Sequence, residues 1–156
     1  MAKARLEAVL LDVDGTLIDS NDAHAKAWVE VLAEFGHHVD FQRTRDLIGM
    51  GGDKLLPELT GIEQESPQGK EISERRGDVF LERYLPELRP FPRARELLEA
   101  FRERGLKLVV ASSANRKELG ALLEPANIAD LIEESTSSSD ADESKPDPDI
   151  IEAALA

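Results

Sequence analysis

Leu6–Ser20, LEAVLLDVDGTLIDS, decides the fold of this chain. An apolar run, Ala8-Val9-Leu10-Leu11, stops at Asp12; Asp14 follows, then Gly15 and Thr16. A short apolar run without polar alternation predicts a strand buried on both faces, as in a parallel sheet. Gly15 and Thr16 break that strand and start a turn. Open α/β sheets place ligands just beyond the carboxyl ends of their strands. Two carboxylates at that edge are costly unless they meet a cation or do chemistry. Residues two apart on an extended chain point the same way, so Asp12 and Asp14 can face one pocket. Together they can hold a hard cation such as Mg²⁺, which takes carboxylate oxygens and keeps waters for a phosphate. One carboxylate can be a nucleophile while the other handles protons. A bare DxDG favours the plainer reading, a strand-end Asp beside an ordinary Asp-Gly turn. A calcium loop needs Gly at its sixth position and a late Glu, whereas Gly15 is fourth counting from Asp12.

Size and charge narrow the classes. The chain has 156 residues, enough for one ordinary domain or a core with a small insert. Apolar residues make up 41%, which supports a globular core. A net charge of −13 argues against binding nucleic acid or an anionic membrane through bulk charge. A phosphate substrate then needs local positive charge from a metal, a Lys or helix N-termini. With no Cys, disulfides and thiolate metal sites are excluded. The first apolar run is too short for a signal peptide, and nothing approaches a membrane span. The expected location is cytoplasmic.

Further along, Ser20 can cap a helix running to about Phe35, whose apolar stripe is Ala23, Ala27, Trp28, Val31, Leu32 and Phe35. Helices are predicted over Phe41–Ile48, Asp53–Leu59 and Lys70–Leu85, the last with Ile72, Val79 and Phe80 inward. After Pro86, Pro90 and Pro92 an amphipathic helix carries Ala94, Leu97, Leu98 and Phe101, and Gly105 ends it. Leu106–Ala111, LKLVVA, is a second buried-type strand. Asn115 with Glu118 suits a capping pair for the next helix. A third strand is expected within Asp130–Glu134, and Ser135–Ser144 reads as a Ser- and Asp-rich loop. Pro146 and Pro148 lead into a last helix. Strand, helical block, then helix-strand-helix-strand suits a parallel α/β core with a helical insert after its first strand.

DVDGTLIDS, with its leading apolar strand, resembles the first motif of the haloacid dehalogenase-like hydrolase superfamily. The resemblance extends over essentially the whole chain. It implies a Rossmann-like parallel-sheet core, residues 1–18 and 89–156, with a small all-helical cap, 19–88, inserted after the first strand. It implies a Mg²⁺-dependent phosphatase acting on a small phosphomonoester. Asp12 would attack phosphorus and become an aspartyl phosphate. Asp14 would protonate the leaving group and then activate water; dehalogenases lack this second Asp. Both would serve the metal. VVASSAN looks like the phosphate-binding motif, with Ser112 in the role and Ser113 beside it, although the two could merely start a turn. Gly15 and Thr16 join the same binding set. Lys145-Pro146 resembles the family's Lys-Pro pair, whose ammonium neutralises nucleophile and phosphate. A solvated loop Lys is the plainer reading of ESKPDPD taken alone. DSNDAHAKAW resembles the cap opening of phosphoglycolate phosphatase-like and β-phosphoglucomutase-like members, which puts His24 near the hinge and substrate; Trp28 fits core packing better. The run around Arg45, Leu47, Ile48 and Gly49 resembles the cap's substrate loop. Mutases carry an Arg where this chain has Gly52, which weighs against a sugar-phosphate mutase.

The family's fourth motif, a strand ending in Gly-Asp and a further acid, is not found in these 156 residues. The strand that carries it is expected to pair with the first, so the Asp12 strand would become an edge, apolar on both faces and open to self-association. A truncated non-catalytic relic, or a module completed by another chain, is therefore the alternative to an active phosphatase. Asp12 and Asp14 alone offer Mg²⁺ one side-chain oxygen and one backbone carbonyl. Isothermal titration should accordingly show weak Mg²⁺ binding by this chain. Tight, stoichiometric binding would mean that another carboxylate completes the site, with Asp140 and Asp142 the first to mutate.

Overall fold

A computed structural model describes residues 5–156. Its sheet has three parallel strands in the order β1-β2-β3: β1 Ala8–Leu11, β2 Lys107–Ala111 and β3 Glu134–Thr136. Ala8 lies opposite Lys107 and Leu11 opposite Val110; Val109 lies opposite Glu134 and Ala111 opposite Thr136. β2 is covered on both sides, and Leu108 to Ala111 are buried, as an apolar central strand should be. β1 has a strand neighbour on one side only among the described residues, so Ala8, Val9 and Leu10 are half-buried rather than enclosed.

The helical block that follows β1 has four α-helices: α1 Asn21–Glu34, α2 Phe41–Asp46, α3 Gly52–Thr60 and α4 Pro67–Val79. α4 continues as a π-helical turn, Phe80–Tyr84, and a 3₁₀ turn, Leu85–Glu87, instead of running to Leu85 as one α-helix. It also starts earlier than its apolar pattern suggests. The Ser66 hydroxyl accepts from Gly69 N at 3.0 Å, and Pro67 sits at the helix start where its missing N–H is harmless. α5 Ala94–Glu103, β2, α6 Arg116–Leu123, β3 and α7 Asp149–Leu155 complete the chain. The third strand falls later than the apolar residues indicate. Leu131 is a core residue reached from a turn, with its N–H bonded to Ile128 O, while Ser135 and Thr136 pair with Val110 and Ala111. Backbone pairing selects that strand, not side-chain apolarity. The polar stretch after it holds a 3₁₀ turn, Ser138–Asp140, closed by a capping box between Ser137 and Asp140.

The helical block leaves and re-enters through one paired crossing. Asp19 N donates to Arg89 O at 3.1 Å and Phe91 N donates to Leu17 O at 3.1 Å, with Ile18 opposite Pro90. The turn before this crossing is tightly wound: the N–H groups of Thr16, Leu17 and Ile18 all point at Val13 O, at 3.1, 2.9 and 3.3 Å. Gly15 sits in it at φ +71°, and a Cβ there would run into the Asn21 side chain. Val13, Leu17 and Ile18 are buried by this turn and join one core with Trp28, Leu55, Phe80 and Leu108. The core therefore runs unbroken from sheet to helical block. On α1 the predicted stripe is buried except for Phe35, which is partly buried. No helix among the described residues is long and apolar enough to cross a membrane.

Leu108 is fully buried on the central strand. Leu108→Ala should therefore cost about 2–5 kcal/mol through lost burial and the cavity left behind. Urea unfolding checks this as a lower midpoint at unchanged slope.

Candidate active site

Asp12 stands one residue past β1, at the carboxyl edge of the sheet. Lys145 comes to it from the loop between the 3₁₀ turn Ser138–Asp140 and α7. Its Nζ is 2.9 Å from Asp12 Oδ1 and donates also to Ala111 O, 3.1 Å away, at the end of β2. The plain solvated-loop reading of Lys145 is thus replaced by an ion pair. Asp12 Oδ2 has Thr16 Oγ1 at 3.5 Å, a marginal contact, and is the freer oxygen.

Asp14 is more enclosed. Its Oδ1 accepts from Ser20 Oγ at 2.5 Å and lies 2.7 Å from His24 Nε2. Burial by itself raises the pKa of this carboxyl. The charge and hydrogen bond of His24, then the Ser20 hydrogen bond and the Arg76 charge, outweigh that and hold Asp14 below its ordinary value. His24 is fixed by Phe80, whose ring stacks on it with centroids 4.0 Å apart and planes 9° apart. Ser20 holds the N-cap position of α1 as expected, but its hydroxyl makes no capping bond; it serves Asp14 instead.

At the end of β2 the two serines divide. Ser112 is buried, its Oγ accepting from Ala114 N at 3.1 Å and its N–H donating to Thr136 O at 2.9 Å. Ser113 lines the cavity together with Asp12, Asp14, His24 and Trp28, and its Oγ is buried without a hydrogen-bond partner. Buried hydroxyls are rarely left so; an anion oxygen would satisfy it. Thr16 faces a separate depression beside Leu17 and Phe91, and Gly15 shapes the turn without lining the cavity.

Arg76, on α4, and Glu118, on α6, close the far side. Arg76 Nη1 and Nη2 each lie 2.8 Å from a Glu118 carboxylate oxygen, and Arg76 Cζ stands 5.1 Å over the Trp28 ring. Glu118 is 2% exposed. Asn115 caps α6 as the sequence suggests, accepting from Glu118 N at 2.9 Å. The Glu118 carboxylate, however, turns to the Asn115 side chain and to Arg76 rather than to the backbone. Ile48, Gly49 and Met50, between α2 and α3, also line the cavity. Arg45 does not: it pairs with Asp22 at the surface, 2.5 Å away.

The donor set suits a hard cation. Asp12 and Asp14 lie on one cavity, and each keeps an oxygen that makes no strong hydrogen bond among the described residues. No cluster of three or more His, Cys, Asp or Glu suited to a metal occurs among the described residues. Asp140 is engaged elsewhere, accepting from Ser137 N at 2.9 Å and pairing with Arg116, while Asp142 lines a different depression with Asp149.

Arg76 and Glu118 carry no motif of their own, and Ser20 closes the DVDGTLIDS run with no role there beyond a helix cap. Ser20 and Glu118 are conspicuous in the sequence only as capping residues, and Arg76 is an unmarked Arg on a helix. Breaking the buried pair by Glu118→Ala leaves the Arg76 charge unmatched and should cost about 3–5 kcal/mol. Replacing both, Arg76→Met with Glu118→Leu, should cost much less; a urea double-mutant cycle separates the two cases.

The family model of the haloacid dehalogenase-like hydrolases matches residues 6–156. Protein SUPPRESSOR OF QUENCHING 1, chloroplastic, of Arabidopsis thaliana is 35% identical over 96% of this chain and 15% of its own length. N-acetylmuramic acid 6-phosphate phosphatase of Pseudomonas aeruginosa is 27% identical over 96% of this chain and 66% of its own. Thus the chain spans less than two thirds of each of these relatives. A hydrolase from Pseudomonas syringae superposes with a TM-score of 0.87 at 27% identity, covering 97% of this chain and 69% of that one. With its parallel sheet, its helical block after the first strand and its DVDGT turn, the chain belongs to the haloacid dehalogenase-like hydrolase family.

Proposed function

We propose that this chain carries the reaction centre of a phosphatase that hydrolyses a small phosphomonoester through an aspartyl phosphate on Asp12. The observation that carries this reading is the Lys145–Asp12 pair at the open sheet edge, with Asp14 and the unpartnered Ser113 hydroxyl on the same cavity. Residues 1–18, of which 1–4 lie outside the described residues, and 89–156 serve as the core, and 19–88 as a cap over the site. The single paired crossing at Leu17–Asp19 and Arg89–Phe91 supports that division.

Asp12 Oδ2 attacks phosphorus, and the bond from phosphorus to the leaving oxygen breaks. Lys145 holds Oδ1 and offsets the charge gathered around the phosphoryl group. Asp14, oriented by His24 2.7 Å away, passes a proton to the leaving oxygen. Asp14 then accepts a proton from water as that water attacks phosphorus. The Asp12–phosphorus bond breaks, inorganic phosphate leaves, and both carboxylates are regenerated. Ser113 Oγ and the amide groups near it donate to the phosphoryl oxygens. Mg²⁺, held by Asp12 and Asp14, would supply further charge neutralisation for phosphoryl transfer.

A mutase reading has less support, because Gly52 offers no cation and Arg76 is already matched by Glu118. An assay with an aryl phosphate, with and without Mg²⁺, tests the phosphatase reading. Wild-type chain should turn over with Mg²⁺, and Asp12→Asn should lose about a thousandfold or more, as removal of a covalent nucleophile does. Turnover that survives Asp12→Asn, or none in the wild type, would overturn it.

A further inference from the structure

The loop that brings Lys145 to Asp12 is gripped on both flanks by the start of α3. Ser144, immediately before the lysine, is 4% exposed. Its Oγ accepts from Gly51 N at 3.1 Å and donates to the Asp53 carboxylate, and its own N–H points at Asp53 Oδ2, 3.4 Å away. Two residues beyond the lysine, Asp147 pairs with Lys54, whose Nζ also lies 3.7 Å from Glu143. A Cβ at Gly51 would collide with the Ser144 side chain, so the approach depends on glycine there. Its neighbours Gly49, Met50 and Gly52 line the reaction cavity.

Among the described residues, the Lys145 side chain has hydrogen bonds only to the core, at Asp12 and Ala111. The residues on either side of it are referenced to the helical block instead. A buried serine hydroxyl with a charged acceptor is a strong anchor, since leaving either partner unmatched is costly. We propose that Asp53 and Ser144 are positioning residues for Lys145: docking of the α3 N-terminus on Ser144 sets the ammonium against the Asp12 carboxylate. The inference rests on the reading that Lys145 serves the nucleophile, but the placement itself can be tested without catalysis.

The test is acetylation of the native chain with an excess of an N-hydroxysuccinimidyl acetate, followed over time by mass spectrometry. Lys145 is compared with Lys117, which lies away from this contact. In Asp53→Ala and Ser144→Ala, Lys145 should acetylate about threefold to tenfold faster, the change expected from losing one buried hydrogen bond, while Lys117 keeps its rate. Ser144→Thr keeps the hydroxyl and should restore protection. Asp53→Asn, which disturbs the helix start less, should fall between wild type and Asp53→Ala. With an aryl phosphate, the same variants should lose kcat with little change in KM. Unchanged Lys145 labelling in variants with native circular dichroism would overturn the proposal. A wild-type chain that hydrolyses no phosphate but shows the labelling pattern would overturn the phosphatase reading alone.

Discussion

The structure turns on one ammonium. Lys145 Nζ joins the carboxylate after β1, the carbonyl ending β2 and the loop leading to α7, so three separated parts of the chain meet at one charge. Removing it would leave Asp12 beside Asp14 with no counter-charge on the core side. Its side chain is 26% exposed, which keeps the desolvation cost moderate while leaving the attraction stronger than at a fully wet surface. The chain has 32 acidic and 19 basic side chains, and most of its arginines are already matched to a carboxylate. Those surface pairs contribute little individually. Attraction for a phosphate therefore has to come from local arrangement, not from the field of the whole molecule.

Asp14 shows how a neighbour can override burial. Enclosure favours the neutral acid, yet Ser20 and His24 both converge on one oxygen and keep the charge. The Phe80 ring, packed flat on His24, comes from the π-helical turn that follows α4. The geometry of the acid–base pair thus depends on a residue contributed by the far end of the helical block. Trp28, Ile48, Met50, Leu55 and Arg76 of that block also line the site.

Much of this was legible in the sequence, for identifiable reasons. Asp12, Asp14 and Lys145 sit in short motifs whose spacing follows strand and turn geometry, so local reading finds them. The buried stripe on α1 follows from its period. The third strand was misplaced because its residues, Glu134, Ser135 and Thr136, are polar; their strand character comes from pairing with β2, which no local pattern encodes. Ser20 and Glu118 were legible only as capping residues because a cap and a tertiary hydrogen bond use the same side chains. Arg76 was invisible, since its partner lies on a different helix, forty-two positions away. The motif points to Ser112 for the phosphate, whereas Ser113 lines the cavity and the Ser112 hydroxyl accepts from Ala114 N in the turn after β2.

The strand order carries a consequence for biosynthesis. Ala8 pairs with Lys107, so the partner of β1 lies roughly a hundred residues downstream. At about 5–20 residues per second, the ribosome needs roughly 5–20 s to deliver it. During that interval the Ala8–Leu11 segment has emerged with no strand to receive it, and closing so long a loop is entropically slow. The helical insert can form meanwhile, since its contacts, such as Arg75 with Glu34, close within fewer residues than the sheet's, but the sheet cannot. In a nascent chain of this topology the first strand made is thus the one that waits longest for its partner.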